Sequence, residues 1–214
     1  MYISRVEIDT NNRSKIKDLT HVGAFHNWVE KSFPSEIKSN TRTRKLWRVD
    51  KVNNKNYLIV LSEEKPDAKS IEHYGVEGSF ETKRYDSFIN SLSLGDKMRF
   101  RVVLNPVITL SKGKGKRGDV KPHVTVEHQM KFLMDRSEKN GFHLNPDEYF
   151  IVERGYSTLN KENQKPMNFI KVAYEGLLTI SNLEIFKRTL TEGFGKHRAY
   201  GFGLMTVIPT SGNE

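Results

Sequence analysis

The chain has 214 residues, with 35 Lys or Arg against 26 Asp or Glu, a formal net charge of +9 and a sequence pI of about 9.6. It contains no cysteine, which excludes disulfides, cysteine metal sites and thiol nucleophiles. The sequence has no apolar run of the ~20 residues that a membrane-spanning helix needs, and its first residues lack the pattern of a signal peptide. These features predict a cytoplasmic protein.

The basic charge balance favours a polyanionic partner, namely RNA, DNA or an anionic membrane surface. We favour nucleic acid, because the sequence contains no cationic amphipathic helix of the kind that lies on membranes. A basic globular protein without such a partner is the alternative. The length allows one large domain or two small ones.

The first half of the chain alternates strand and helix patterns. In chain order the predicted elements are a strand at 2–9, a helix at 21–33, strands at 45–52 and 56–61, a short helix at 85–92 and a strand at 97–104. The first helix is predicted from apolar residues at near-helical spacing, and Pro34 is expected to end it. Residues 53–55 form the predicted hairpin turn.

Residues 111–121 interrupt this pattern. They carry five cations and one anion, and they have no apolar periodicity. Such a segment is typical of a mobile loop or linker.

The second half repeats the rhythm of the first. In chain order the predicted elements are a helix at 125–140 that Gly141 ends, a long hairpin of strands at 149–157 and 168–180, a helix at 182–192 and a last strand at 204–209. Both halves approach a βαββαβ order, which predicts an α+β protein of two tandem ferredoxin-like (RRM-like) domains. We place the first domain at 1–110, the basic linker at 111–123 and the second domain at 124–214.

Between the last helix and the last strand lies a glycine-rich loop, residues 193–204. It contains Gly193, Gly195, Gly201 and Gly203 together with Lys196 and Arg198. Glycine allows positive φ and lets a phosphate approach main-chain N–H groups, and the two cations add charge for that phosphate. The loop is therefore predicted to bind a polyphosphate ligand through these cations and main-chain N–H groups, and the basic charge of the chain favours RNA as that ligand.

Several short motifs occur together and in order. They are Met-Tyr-Ile-Ser-Arg-Val at the start, a histidine in the first helix, Leu46-Trp47-Arg48, Arg99-Phe100-Arg101 leading to Asn105-Pro106, Tyr174-Glu175-Gly176 and the glycine-rich loop. With these motifs the whole chain resembles the type I-E CRISPR-associated endoribonucleases of the CasE (Cse3) family, the RNA-processing subunits of Cascade.

The resemblance implies two ferredoxin-like domains and metal-independent cleavage of a CRISPR repeat RNA at the base of its hairpin. The upstream 2′-hydroxyl attacks the phosphate, which leaves 2′,3′-cyclic phosphate and 5′-hydroxyl ends, and the enzyme then stays on its product within Cascade. The implied partners are the repeat hairpin and the other Cascade subunits, with no membrane. We predict no cofactor and no metal. A non-catalytic RNA-hairpin-binding subunit is the alternative function.

The family's first-helix histidine aligns with His26, which we take as the catalytic residue. Histidine suits acid or base work near neutral pH because its ordinary pKa is about 6.5. Some relatives have a tyrosine three residues earlier, where this chain has Gly23. Either His26 carries most of the catalysis, or another group compensates, such as Lys31 or a residue of the glycine-rich loop.

The remaining site predictions concern RNA contacts by basic side chains. The candidates are Lys112, Lys114, Lys116, Arg117 and Lys121 in the basic segment, Arg154, Lys165 and Lys171 in the long hairpin, and Lys196 and Arg198 in the glycine-rich loop. Each phosphate contact would steepen the salt dependence of binding. A charged hairpin is otherwise usually a solvated edge.

Overall fold

The computed structural model describes residues 1–113, 115–116 and 118–210. The strands are β1 (Tyr2–Glu7), β2 (Lys45–Val52), β3 (Lys55–Ser62), β4 (Glu81–Arg84), β5 (Lys97–Leu104), β6 (Val107–Leu110), β7 (Asp119–Pro122), β8 (Phe142–His143), β9 (Tyr149–Leu159), β10 (Met167–Ile180) and β11 (Met205–Pro209). The helices are α1 (Arg13–Ile16), α2 (Val22–Lys31), α3 (Pro34–Ser39), α4 (Ala68–Ile71), α5 (Asp86–Ser91), α6 (Val126–Ser137) and α7 (Leu183–Glu192). None of the helices in these ranges is long and apolar enough to cross a membrane.

The first four strands form one antiparallel sheet in the order β2–β3–β1–β4. Helices connect β1 to β2 and β3 to β4, so the chain follows the βαββαβ path of a ferredoxin-like domain. Val6 of β1 and Leu58 and Val60 of β3 pack in one core with Trp28 and Val29 of α2. The predicted N-terminal ferredoxin-like fold is confirmed.

Helix α2 follows from its sequence. His21 caps it, because the imidazole Nδ1 accepts a hydrogen bond from the Gly23 N–H at 3.1 Å. Trp28 is buried on the inner side of the helix, where its indole donates to the Ile71 carbonyl at 3.0 Å. Pro34 does more than end the helix, since it opens α3 at the first-turn position where a missing N–H costs nothing.

The second large sheet repeats the same topology. Its strands run in the order β11–β5–β10, and β9 and the short β8 both pair with the other side of β10. Helix α6 lies between β5 and β9 in the chain, and α7 lies between β10 and β11. The predicted pair of tandem ferredoxin-like domains is therefore confirmed.

Strand β5 belongs to the second domain, which corrects a predicted boundary. It pairs with β10 and with β11, and these pairings place it inside the second sheet. The assignment of residues 97–104 to the first domain is therefore wrong, and a second domain at 124–214 would lack a central strand. The apolar alternation of residues 97–104 predicts a strand but not its neighbours, because pairing is decided by residues distant in the chain.

The basic segment is partly ordered. Residues 119–122 form β7, which pairs with β6 in a two-stranded ribbon between Val107–Leu110 and Asp119–Pro122. The prediction of a linker without regular structure is wrong for these residues. The segment follows β5, which already belongs to the second domain, so it does not join the two domains. The predicted RNA contacts Lys114 and Arg117 lie outside the described residues.

Arg48 and Trp47 of β2 join the two domains. The buried Arg48 side chain forms a two-bond ion pair with Asp50, and its Nη1 also donates to the Leu204 and Arg101 carbonyls of the second domain at 2.8 and 3.1 Å. The Trp47 indole donates to the Ala199 carbonyl at 2.9 Å. These contacts fix the glycine-rich loop of the second domain against the first.

Candidate functional site

A cleft of about 420 Å³ lies where the two domains meet. It is lined by His26 and Glu30 of α2, by residues 42–46 at the start of β2, and by Arg198 and Ala199 of the glycine-rich loop. The structure therefore brings together the predicted catalytic residue and one of the predicted RNA contacts, which are 172 positions apart in the chain.

His26 lies on the side of α2 that faces the second domain. Its Nε2 accepts a hydrogen bond from Arg42 Nη2 at 3.1 Å, and its Nδ1 lies 4.0 Å from a carboxylate oxygen of Glu30, one helical turn away. The ring of Tyr200 meets the imidazole edge-on, with 5.6 Å between the ring centroids. His26 is thus held by residues of both domains.

The surroundings keep the imidazole neutral. Burial lowers the pKa of His26 below its ordinary value, and the positive charges of Arg42 and Lys45 act in the same direction. The Glu30 carboxylate and the Ala199 carbonyl act against them, because both favour the protonated ring. The net result is a pKa below the ordinary histidine value, which favours the neutral ring at neutral pH.

The cations of the cleft are anchored to different degrees. Lys45 is 1% exposed and is paired with the buried Glu36 carboxylate. Burial would raise the pKa of Glu36, but hydrogen bonds from Lys45 and Thr43 outweigh it and lower that pKa. Arg44 pairs with Glu192 of α7 at 3.3 Å, which is another contact between the domains.

The glycines of the loop are required by its backbone and its packing. Gly193, Gly195, Gly201 and Gly203 all have positive φ, between 66° and 86°. A Cβ on Gly201 would lie 2.8 Å from the Trp47 ring, and one on Gly203 would lie 2.4 Å from the Phe194 carbonyl oxygen.

The main-chain N–H groups of Gly193 and Gly203 already donate to the carbonyls of Thr189 and Val103. These two N–H groups are therefore not available to a phosphate. The loop also carries two charged side chains that attract an anion, Lys196 and Arg198.

The two predicted cations of the loop lie in different places. Arg198 lines the cleft, and its Nη1 donates to the carbonyls of Glu192 and Gly193 at 2.9 and 3.2 Å, so the same guanidinium also fixes the end of α7. Lys196 is exposed and its Nζ donates to Thr109 Oγ1 at 3.2 Å, on the ribbon of β6 and β7. The loop thus connects the basic ribbon to the cleft.

The other predicted RNA contacts fall into two groups, those with a partner within the protein and those that are exposed. Lys112 is paired with Asp119 at 2.6 Å and Lys171 with Glu153 at 2.7 Å, and Arg154 donates to the Val124 carbonyl at 2.5 Å. Lys116, Lys121 and Lys165 are exposed. Lys121 lies on β7 opposite Ile108, and Lys165 lies at the tip of the hairpin of β9 and β10.

A larger side chain three residues before His26 would require neighbouring side chains to shift. A Cβ on Gly23 would lie within 2.9 Å of the His21 imidazole and of Leu159. Lys31, one of the groups considered as a substitute, lines a separate pocket with Lys69 and His73 and does not line the cleft. The glycine-rich loop does reach His26, through Ala199 and Tyr200.

Sequence reasoning missed the cations at the start of β2 and the carboxylate beside the histidine. Arg42, Arg44 and Lys45 fall within four consecutive residues, and Glu30 is four residues after His26 on the same helix. Both could be recognised in the sequence, because a short cationic run before a strand and a histidine four residues before a glutamate on one helix each bring charged groups together. In the described part of the chain, no group of three or more His, Asp or Glu side chains is arranged to hold a metal ion.

Comparison with known proteins identifies the family. A family model described as CRISPR associated protein matches residues 1–209. The CRISPR-associated endoribonuclease Cse3 of Thermus thermophilus is 26% identical over an alignment of 222 positions, which covers 98% of this chain and 100% of the relative.

Two solved structures share the fold. Thermus thermophilus Cse3 bound to an RNA representing a pre-cleavage complex matches with a TM-score of 0.78 and 22% identity, covering 97% of this chain and 98% of that one. A chain of a CRISPR RNA-guided surveillance complex matches with a TM-score of 0.66 and 15% identity, covering 98% and 100%. Because the family model spans nearly the whole sequence, this chain belongs to the family of CRISPR-associated proteins.

Proposed function

We propose that this protein is an endoribonuclease that cleaves CRISPR repeat hairpins in precursor RNA. The observation that carries the proposal is the position of His26, a neutral histidine in a cationic cleft between two ferredoxin-like domains. The Thermus thermophilus relative is a CRISPR-associated endoribonuclease, and a structure of it contains an RNA representing a pre-cleavage complex.

Internal cleavage of RNA needs a base for the 2′-hydroxyl and positive charge beside the phosphate, and we assign both roles to residues of the cleft. The 2′-oxygen forms a bond to phosphorus, its proton passes to Nε2 of His26, and the bond from phosphorus to the 5′-oxygen breaks. The leaving 5′-oxygen takes a proton from water or from the imidazolium that has just formed. Arg42, Arg44 and Arg198 lie around the same space and stabilise the negative charge of the pentavalent phosphorane.

This chemistry yields a 2′,3′-cyclic phosphate and a 5′-hydroxyl. It uses the RNA's own hydroxyl as nucleophile, so we propose that it proceeds without a metal ion. After cleavage the protein holds the hairpin product through contacts that do not involve the scissile bond.

Those contacts follow the exposed basic surface. We propose that Lys116 and Lys121 on the ribbon segment, and Lys196 beside it, track the phosphate backbone toward the cleft, where Arg198 meets it. Lys112, Arg154 and Lys171 are already engaged within the protein, so we give them a smaller share of the binding energy. Lys165 at the hairpin tip completes the proposed surface.

The proposed partners are the repeat hairpin and the other subunits of a Cascade-type assembly. We propose the other subunits as partners because the fold is shared with a chain of a CRISPR RNA-guided surveillance complex. Retention of the product fits this role, because a subunit that stays on the mature guide RNA can deliver it to the assembly.

The proposal is tested by incubating the protein with an end-labelled repeat hairpin in excess chelator and mapping the product ends. We expect one cleavage site with a cyclic-phosphate end, and no cleavage when the nucleotide before that site is 2′-deoxy. His26→Ala is expected to slow cleavage by about 10²–10⁴-fold while the Kd for the hairpin stays near the wild-type value. The matched control is His143→Ala, since His143 is exposed, pairs with Glu138 and does not line the cleft.

Three outcomes would contradict parts of the proposal. Tight binding without cleavage would favour the non-catalytic RNA-binding subunit, since this chain has Gly23 where some relatives have a tyrosine. Loss of activity in chelator would indicate a metal-dependent nuclease. Wild-type rates in His26→Ala would move the catalytic group elsewhere.

A further inference from the structure

We propose that Arg42 binds the phosphate at the cleavage site, and that in the free protein the same guanidinium blocks the nitrogen of His26 that must accept the proton. The inference rests on the proposed nuclease function. It assigns to Arg42 two successive partners, first the imidazole and then the RNA.

The first step concerns which group donates. A guanidinium has only N–H donors, so the 3.1 Å contact from Arg42 Nη2 requires Nε2 of His26 to be an unprotonated acceptor. The ring proton then lies on Nδ1, the nitrogen that is 4.0 Å from Glu30. Nε2 therefore has the lone pair that must accept the proton of the 2′-hydroxyl, but in the free protein this lone pair already accepts the hydrogen bond from Arg42.

The second step concerns how firmly Arg42 is held. Its side chain is 64% exposed and it lies in the irregular segment 40–44 between α3 and β2. Its other contact is from Nε to Glu30 at 3.2 Å. An ion pair whose arginine is largely exposed to water contributes little to stability, so this side chain is free to exchange partners.

The third step compares Arg42 with its neighbours. Lys45 is fixed by the buried Glu36, Arg44 is paired with Glu192, and Arg198 is bonded to two main-chain carbonyls. Arg42 is the cation of the cleft that contacts the imidazole itself. A phosphate placed for attack beside His26 therefore meets Arg42.

The exchange is favourable on chemical grounds. A phosphodiester offers two charged oxygens that match the planar fork of a guanidinium, whereas Nε2 offers one neutral lone pair. Movement of Arg42 to the phosphate would free Nε2 and leave Glu30 beside Nδ1, where its charge stabilises the imidazolium that forms. Binding of substrate thus activates the base in the same event that neutralises the phosphate.

The test measures single-turnover cleavage of two hairpins, one normal and one with a sulfur in place of a non-bridging oxygen at the scissile phosphate, using each diastereomer separately. We expect Arg42→Ala to slow cleavage of the normal hairpin by about 10²-fold. We also expect sulfur in one diastereomer to slow the wild type much more than it slows Arg42→Ala. Sulfur weakens the contact between Arg42 and the non-bridging oxygen, and Arg42→Ala already lacks that contact. Equal sulfur effects in both proteins would overturn the phosphate contact.

Arg84→Ala is the matched control. Arg84 is an exposed arginine of the same domain, 3.8 Å from Asp86, and it does not line the cleft. It should match the wild type with both hairpins. Arg42→Lys should recover only part of the rate, since it restores the charge without the fork.

The blocking step is tested without RNA or activity. In ¹⁵N NMR spectra of the free protein, the Nε2 resonance of His26 is expected to move in Arg42→Ala and to stay in place in Arg84→Ala. An unchanged resonance in Arg42→Ala would show that the guanidinium does not occupy Nε2. If the wild type did not cleave the hairpin at all, the proposed function would fail while this spectrum still reported on the contact.

Discussion

At the scale of single residues, the balance of charges around His26 decides whether it can act as a base. Burial and the cations Arg42 and Lys45 lower its pKa, while the Glu30 carboxylate opposes them. Lys45 cannot move away, because its ammonium is buried against Glu36. The Glu30 carboxylate is therefore the main group that keeps the pKa of His26 from falling further.

This balance predicts the pH dependence of the reaction. A plot of kcat/KM against pH reports the free enzyme, and its acid limb is expected below the ordinary histidine value of about 6.5. Glu30→Gln removes the charge that favours the protonated ring, so the acid limb should move to lower pH. Glu127→Gln, an exposed carboxylate of α6, is the control and should leave the profile in place. A shift to higher pH in Glu30→Gln would contradict the electrostatic account.

At the scale of elements, the glycine-rich loop acts as a support for the cleft. Its short 3₁₀ turn, Arg198–Tyr200, lies against α2 and β2 and brings the Ala199 carbonyl to both His26 and Trp47. Gly201 follows this turn with φ of 84°, directly against the Trp47 ring. The turn can take this position only because Gly201 has no side chain.

Gly201→Ala is therefore expected to reduce both stability and cleavage. The left-handed backbone costs an alanine about 1–2 kcal/mol, and the contact with Trp47 adds about 1–3 kcal/mol of overpacking. Gly78→Ala separates the two effects, because Gly78 also has positive φ, 74°, but a Cβ there would meet nothing within 4 Å. Urea unfolding should show the smaller loss in Gly78→Ala, and cleavage should fall only in Gly201→Ala. Equal losses in both variants would mean that the Trp47 contact is unimportant.

The elements themselves could be predicted from the sequence to a large extent. The strands at 45–52 and 97–104 and the helices around His26 and at 182–192 follow from the spacing of apolar residues, and all are present. The neighbours of each strand could not be predicted, because the same alternation of side chains suits either sheet. For this reason the sequence alone does not assign β5 to the second domain, and it does not predict the pairing of β7 with β6.

The candidate site shows the same division. His26 and Arg198 could be selected from the sequence, because the resemblance to a known family aligns each of them with a functional residue. The role of Arg42 could not, because its contact with His26 depends on how the segment after α3 folds back over α2. The glycines do not distinguish between two structures, because a phosphate cradle and a tightly packed turn both require positive φ.

At the scale of the whole molecule, a buried arginine holds the two domains in the relation that forms the cleft. Arg48 is 2% exposed, and its guanidinium bonds to Asp50 in its own domain and to Leu204, Arg101 and Thr206 in the other. Burial would raise the pKa of Asp50, but Arg48 and Arg101 outweigh it and lower that pKa.

The cleft between the domains thus depends on a charged pair that has little access to water. Removing one partner of a buried pair leaves the other charge without compensation. Arg101 Nε also donates to Asp50 at 3.0 Å, so some compensation remains when Arg48 is lost. The loss of unfolding free energy expected on removing Arg48 therefore lies toward the lower end of the range for buried ion pairs.

Arg48→Met is expected to lower the free energy of unfolding in urea by about 3 kcal/mol at pH 7. The difference from wild type should shrink as the pH falls through the acid range, because the lowered pKa of Asp50 stabilises the folded wild type only while that carboxyl is charged. Arg5→Met is the control, since Arg5 is exposed and pairs with the exposed Glu81, and it should cost less than about 1 kcal/mol. A difference between Arg48→Met and wild type that stayed constant down to acid pH would show that the arginine acts by packing and not through Asp50.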